Sequence, residues 1–475
     1  MLDANLSIHL IGIGGSGISA IARLLLESGY HVTGSDRSLT PLARELAAAG
    51  VTISVGHRPE NVRGAGLVVR SSAVPDDNVE VQAALQAGIP VLKRAQFLGQ
   101  LLENHFAIAV AGTHGKTTTT AMIAWILVAL GQDPSYIIGG TAKNLGGKNA
   151  HAGKGPAFVI EADEYDRMFL GLRPDVIVIT SLEHDHPDCF PTPEIYVQAF
   201  VDFVHNLRPG GIVLAAADQV EASQIARLAQ EGLYTYGTSP QADYLAENLT
   251  TNPHGGYDYD ACWKGPDGEK THLAHVSLQV PGEHNVRNSL AALAAFHRAG
   301  QAASDPALLE KAAQALAAFT GTGRRFDVLG EVNGITIIDD YAHHPTKVQA
   351  TLLAARARYP ERRIWAVWQP HTYSRTISFM DEFARSFSAA DRVLVTEVYA
   401  AREKAADFEN FSAAQVVGHM THPGAQFIAG LEETGDYLLQ NLHPGDVVVV
   451  LSAGDADQIG ARVFAALRER NGQNA

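Results

Sequence analysis

A chain of 475 residues is long enough for three domains of ordinary size, each with its own core. Its 36 Lys and Arg against 51 Asp and Glu give a formal charge of −15, and the basic residues are scattered rather than gathered into a tract, which argues against a nucleic-acid partner. Cys189 and Cys262 stand far apart and outside metal-ligand spacing, so a disulfide scaffold is not expected and a reducing, cytoplasmic setting is. Residues 1–5 lack a basic leader pattern, and glycines or charges break every apolar run early, so membrane insertion is not expected.

In chain order, an apolar strand over residues 8–13 runs into Gly12-Ile13-Gly14-Gly15-Ser16-Gly17 and then a helix to about Ser28. The next strand, residues 30–35, ends at Asp36, and residues 66–70 followed by Ser71 and Ser72 repeat the strand-then-loop pattern. Gly12, Gly14 and Gly17 satisfy the GxGxxG spacing, in which missing side chains let a diphosphate approach a helix N-terminus, and Asp36 stands where an acid meets a ribose. NAD, FAD and a UDP-sugar all fit that description.

A second unit opens with a strand over residues 105–111 that feeds Gly112-Thr113-His114-Gly115-Lys116-Thr117-Thr118 and an apolar helix. Val110 replaces the first glycine of the strict phosphate-loop pattern, yet the chemistry survives: amides cradle phosphates, Lys116 reaches the terminal ones, and the Thr117 hydroxyl can hold Mg2+. Strands over 157–161 and 176–181 end in Glu161-Ala162-Asp163-Glu164 and Glu183-His184-Asp185-His186. Open α/β sheets bind ligands at such strand ends, so Glu161 and His186 are candidate metal ligands, with Asp185 acting through water or on a histidine. Residues 240–280 read as antiparallel hairpins, and 285–299 and 307–319 as helices. Beyond Gly321-Thr322-Gly323, strands over 336–339, 363–368, 392–396 and 447–452 alternate with alanine-rich helices, the pattern of a covered parallel sheet.

The expected fold is therefore α/β with three domains: N-terminal Rossmann-like over 1–103, central P-loop ATPase-like with appended small strands over 104–321, and C-terminal Rossmann-like over 322–475. His343 on the loop after 336–339 is a candidate substrate contact, and Arg375 a candidate carboxylate fork, because guanidinium geometry matches a planar carboxylate. An NAD-dependent oxidoreductase would use the first glycine loop and leave the second without a role. An apolar helix face leaves both monomer and homodimer open.

The phosphate-loop segment 112–118, Glu161-Ala162-Asp163-Glu164, His284-Asn285, Asp339-Asp340-Tyr341-Ala342-His343-His344-Pro345 and Gln369-Pro370-His371-Thr372-Tyr373-Ser374-Arg375-Thr376, in this order, resemble the Mur ligase family over nearly the whole chain. The resemblance implies ATP and Mg2+ as cofactors and UDP-N-acetylmuramate and L-alanine as substrates, joined as an amide through an acyl phosphate. A ligase adding a preformed tripeptide to the same sugar is the alternative within the family. It implies ATP contacts by Gly112, Thr113, Gly115, Lys116, Thr117, Thr118, His284, Asn285, Asn288, Arg324, Arg325 and Asp340, and metal contacts by Thr117, Glu161 and His186. Gly14, Gly15, Ser16, Gly17, Asp36, His57, Ser71, Ser72 and Arg94 would hold the UDP-sugar, which resolves the first glycine loop in favour of UDP. Tyr341, His343 and Arg375 would lie near the amino acid, with Lys116, His343 and Arg375 as the catalytic candidates. The 180–188 loop departs from the more usual family form, and no lysine occurs over 194–209 to carry the carbamate found in several siblings.

Overall fold

Strands Leu67–Arg70, Val176–Ile179 and Val447–Leu451 are buried along their whole length, which a sheet achieves only when helices cover both faces. The computed structural model, which describes residues 6–218, 232–299 and 305–473, does this in three sheets. Residues 1–5 lie outside the described part.

The first sheet has five parallel strands in the order Thr52–Val55, His31–Asp36, Ser7–Ile11, Leu67–Arg70, Val91–Lys93. Ser7–Ile11 is the strand at which the order reverses, so the glycine loop after it opens at a switch point, where a crevice forms between diverging connections. The second sheet has ten strands. Leu233–Gly237, Ile212–Ala216, Val176–Ile179, Phe106–Ala111, Ala157–Glu161 and Ser135–Ile137 are parallel neighbours. Tyr244–Thr251, Tyr257–Lys264 and Lys270–Ser277 extend one edge as antiparallel hairpins. The third sheet has six strands, parallel except for the pairing of Asp327–Val332 with Ile335–Asp340.

The expected strand 176–181 stops at Ile179 because the next residues serve the phosphate loop instead of the ladder. The Ser181 carbonyl accepts from the Thr113 amide at 2.9 Å, and its hydroxyl from the His114 amide at 2.9 Å. The phosphate-loop helix, Lys116–Ala129, is buried from Thr117 through Ala124 and packs against Glu283–Arg298, where Ala291, Ala292, Ala294 and Ala295 keep side-chain bulk low. Sequence reading passed over Ser135–Ile137, Ile212–Ala216 and Leu233–Gly237, strands of only three to five residues.

Candidate active site

A cleft of about 1700 Å³ lies among the three sheets and is walled by residues from all of them. At its floor, Gly115 caps the phosphate-loop helix with φ of 80°, and a Cβ there would drive into the Asn288 side chain, so only glycine fits. The first turn of that helix aims its unpaired amides and positive dipole end at the cleft. Lys116 Nζ donates to the Gly112 carbonyl at 2.5 Å and lies 2.8 Å from the buried carboxylate of Glu164. Burial works against the ammonium charge, but Glu164, Asp163 and Glu161 outweigh it and raise the Lys116 pKa.

Thr117 Oγ1 donates to Glu161 Oε1 at 3.0 Å, and Gly139 N–H donates to the other carboxylate oxygen at 2.7 Å. An oxygen pair about 3 Å apart matches adjacent corners of an octahedral Mg2+ shell. Burial raises the pKa of Glu161 against the pull of Lys116, a cost that a divalent cation would relieve. His186 is placed differently. Its Nδ1 accepts from Arg375 Nη2 at 3.2 Å, which puts the ring proton on Nε2, facing Glu164 at 3.7 Å. Thr117 and Glu161 are thus ready for a cation, whereas His186 is tied to Arg375.

The third sheet closes the cleft from above. Arg375, only 3 % exposed, donates from Nε to Asp185 Oδ1 at 2.8 Å and from Nη1 to His371 Nδ1 at 3.0 Å. Burial opposes the Asp185 charge, yet Arg375 holds its pKa well below the carboxylate range. Beside this pair, Glu183 bonds His114 of the phosphate loop at 2.6 Å and accepts from Thr346 at 2.6 Å, so it ties the second sheet to the third. Its pKa falls to about 2: burial pulls upward, and His114 leads the interactions that overcome it. His344 packs its ring 5.1 Å from that of His114.

His343 Nδ1 bonds the Tyr341 carbonyl at 2.8 Å, leaving Nε2 without a hydrogen-bond partner among the described residues, on the cleft side. Burial, with Lys347 and Arg375, keeps the ring neutral, its pKa well below the usual value. Arg324 and Arg325 flank the Tyr341 ring, and Arg324 also holds Asp339 at 3.0 Å. Asp340 accepts from the Phe326 and Ala342 amides at 2.7 and 2.8 Å and so shapes the loop that carries these groups.

From the first sheet, Ser16, Ser71, Ser72 and Arg94 reach the cleft wall. Arg94 lies over Gly17 and pairs with Asp163 at 3.3 Å. Gly14, Gly15, Gly17, Asp36 and His57 do not line the cleft itself. Asp36 accepts from the Gly14 amide at 2.8 Å and braces the glycine loop, while His57 bonds the buried Glu80 at 3.0 Å. His284, Asn285 and Asn288 stand together along the wall, and Asn288 donates to Asn285 at 3.0 Å while accepting from Thr119 at 3.3 Å.

Sequence reading missed Lys347, Gly139, Arg402 and the hairpin turn Asn252–Gly255, all part of the same wall. Burial, with repulsion from Lys116, Arg325 and Arg375, pulls Lys347 down to about 7 against the attraction of Asp185. One further signal is conformational: His186, Arg324, Phe326 and Thr372 adopt positive φ of 57°, 56°, 49° and 67° at the cleft. Strain of this kind collects where surrounding structure enforces a working geometry.

Comparison with known proteins agrees with this layout. Family models match residues 7–106 (Mur ligase family, catalytic domain), 110–296 (Mur ligase middle domain) and 324–454 (Mur ligase, glutamate ligase domain). The UDP-N-acetylmuramate–L-alanine ligase of Alkaliphilus metalliredigens is 41% identical over 459 residues, 96% of this chain and 97% of the relative. That of Chlorobium phaeobacteroides is 42% identical over 461 residues, 96% of each. Among solved structures, the UDP-N-acetylmuramate-alanine ligase of Thermotoga maritima superposes with a TM-score of 0.79 at 28% identity, covering 98% of this chain and 100% of its own. A murein peptide ligase from Psychrobacter arcticus gives 0.73 at 28%, covering 98% and 99%. With three successive domain models matched in order around one shared cleft, the chain belongs to the Mur ligase family.

Proposed function

We propose that the chain is an ATP-dependent ligase that joins L-alanine to the carboxylate of UDP-N-acetylmuramate, a step of peptidoglycan precursor synthesis carried out in the cytoplasm. The observation that carries this reading is similarity to alanine-adding ligases at about 40% identity along the full length of both chains. The cleft supports it by bringing a phosphate loop, a glycine loop and a third-sheet cap to one place. In this reading residues 1–103 hold the sugar nucleotide, 104–321 hold ATP, and 322–475 receive the amino acid. Among the described residues no helix is long and apolar enough to cross a membrane.

A free carboxylate is a poor acyl donor, so its oxygen first attacks the γ-phosphorus of ATP; the bond to the bridging oxygen breaks and ADP leaves. Lys116 releases Glu164 to meet the transferred phosphoryl group, offsetting charge that grows in the transition state. Thr117 and Glu161, with His186 as the further candidate ligand, would hold Mg2+, which would supply Lewis-acid charge neutralisation. The alanine nitrogen, its ammonium proton first passed to water, then attacks the acyl carbon, and phosphate departs with the electrons of the carbon–oxygen bond. His343 Nε2 accepts a hydrogen bond from the amine and directs its lone pair, while the departing phosphate is basic enough to take the proton. Arg375 acts through Asp185 and His186, which it holds against the phosphate side of the cleft.

The test is mass spectrometry of products from ATP, Mg2+, UDP-N-acetylmuramate and one of L-alanine, glycine, L-serine or a preformed tripeptide. Stoichiometric ADP and the alanine conjugate are expected. Product from the tripeptide alone would move the chain to the tripeptide-adding alternative.

A further inference from the structure

An amino acid enters as a zwitterion, and its carboxylate needs a cation with N–H groups free to bind it. The cations along the cleft are mostly engaged. Arg375 is committed to Asp185, His186 and His371 and is almost fully buried. Lys116 holds Glu164, Arg324 holds Asp339 and the Ser452 carbonyl at 2.8 Å, and Arg94 holds Asp163. Arg325 acts on Glu161 together with Lys116, and Lys347 acts on Asp185, the carboxylate that Arg375 holds, so neither stands apart from the groups already paired there.

Arg358 and Arg402 also line the cleft, and neither has an ion pair or side-chain hydrogen bond among the described residues; Arg358 packs on Gly255 of the hairpin turn and on the Tyr359 ring, whereas Arg402 stacks on Tyr165, whose ring meets His186. Arg402 is exposed and is the one beside the residues of the phosphate side. Its guanidinium lies 4.0 Å from the centre of the Tyr165 ring, and that ring stands 5.1 Å from the ring of His186. Stacking fixes the plane of a guanidinium while leaving its N–H edge open, the arrangement that receives a carboxylate through two parallel bonds. The supports on either side are firm. Tyr165 donates its hydroxyl to Asp188 at 2.9 Å. The Thr372 amide donates to the Tyr399 carbonyl and the Tyr399 amide to the Pro370 carbonyl, both at 2.9 Å, and Ala401, next to Arg402, holds φ of 53°. Glu403 accepts from the Tyr373 and Ser374 amides at 2.5 and 3.2 Å, so the Arg402 turn is pinned to the helix that carries Arg375.

We propose that Arg402 is the receptor for the α-carboxylate of the incoming amino acid. This role rests on the ligase reading above. The carboxylate docks against the open guanidinium edge, and the amine is left to face the acyl carbon. No bond is made or broken at Arg402, so it is a binding and specificity residue.

Steady-state kinetics of wild type, Arg402→Met and Arg402→Lys, each with L-alanine and with L-alaninamide, test it. Arg402→Met is expected to raise KM for L-alanine about 10- to 100-fold, the usual effect of losing a charge-assisted pair. KM for ATP and for UDP-N-acetylmuramate should stay within about twofold, and Arg402→Lys should fall between, because an ammonium lacks the fork. With L-alaninamide, which has no carboxylate, all three proteins should behave alike; a merely structural role would harm both amines equally. An Arg402→Met enzyme with unchanged KM for L-alanine, or with equal losses for both amines, overturns the assignment and leaves the ligase reading standing. A wild type that makes no alanine conjugate overturns both.

Discussion

The buried Glu164 and the partly exposed Lys116 form a pair in which each neutralises the other until phosphates compete for the lysine. Replacing one partner strands the other, which costs far more than the pair contributes. Lys116→Met is therefore expected to lower kcat about 100- to 1000-fold and to destabilise the second domain by about 1–3 kcal/mol. The double variant Lys116→Met, Glu164→Gln should recover stability in calorimetry and remain inactive, which separates chemistry from folding. Lys347 behaves oppositely, since its folded pKa of about 7 lies below the ordinary 10.5. Below pH 7 the folded state carries that charge at full cost; between 7 and 10.5 only the unfolded state retains the proton, so stability attributable to this group rises with pH. Lys347→Met should melt higher than wild type at pH 6, with the gap closing toward pH 10. A constant gap would mean that Lys347 is not depressed. The sequence placed Glu164 in the acidic cluster after the strand over 157–161 but did not show that it pairs with Lys116, and Lys347 looks like an ordinary surface charge until burial makes it otherwise.

At the scale of elements, strands were the most readable feature, because fully buried parallel strands are near-continuous apolar runs: Ala157–Glu161 and Arg392–Val395 lie where their composition puts them. Candidate site residues on the phosphate loop were legible for the same reason, since a strand, a glycine turn and a helix are contiguous. Contacts such as Arg375 with Asp185, 190 residues apart, were not, because they depend on how two sheets are brought face to face. The junction of the first and second sheets makes the same point. Helix Arg94–Leu102 rests backbone to backbone on the segment Tyr165–Gly171: a Cβ on Gly171 would collide with the Ala95 carbonyl, and one on Gly99 with the Gly171 carbonyl. Arg94 begins that helix and reaches over Gly17 to Asp163. Gly171→Val should push the helix outward, costing about 1–3 kcal/mol as overpacking does, and should weaken UDP-sugar binding while leaving ATP affinity nearly unchanged. Titration of both nucleotides by calorimetry checks this; equal losses would point to general unfolding instead.

Across the whole molecule, the third sheet is held over the phosphate loop by a few polar ties rather than by a broad apolar seam. Arg375 grips Asp185 and His186, Glu183 takes Thr346, and Lys143 pairs with Asp327 at 3.1 Å. The connecting segment 320–326 includes Gly321, Arg324 and Phe326 at positive φ and is itself stitched to the second sheet by the Gly323 amide on the Thr141 carbonyl at 2.7 Å. A short strained connector with few ties is the construction of a hinge, and closing it would keep water away from an acyl phosphate. Removing Arg375 and Asp185 together avoids leaving either charge buried and alone. In the double variant Arg375→Met, Asp185→Asn, small-angle scattering without ligands should give a larger radius of gyration than wild type. With all substrates present, phosphate released should exceed amide formed, because the activated carboxyl is then open to water. A variant with wild-type scattering and one phosphate per amide would place the closing force elsewhere, on the Glu183 and Lys143 ties. A variant that opens yet still couples one phosphate to each amide would show that substrate contacts alone exclude water.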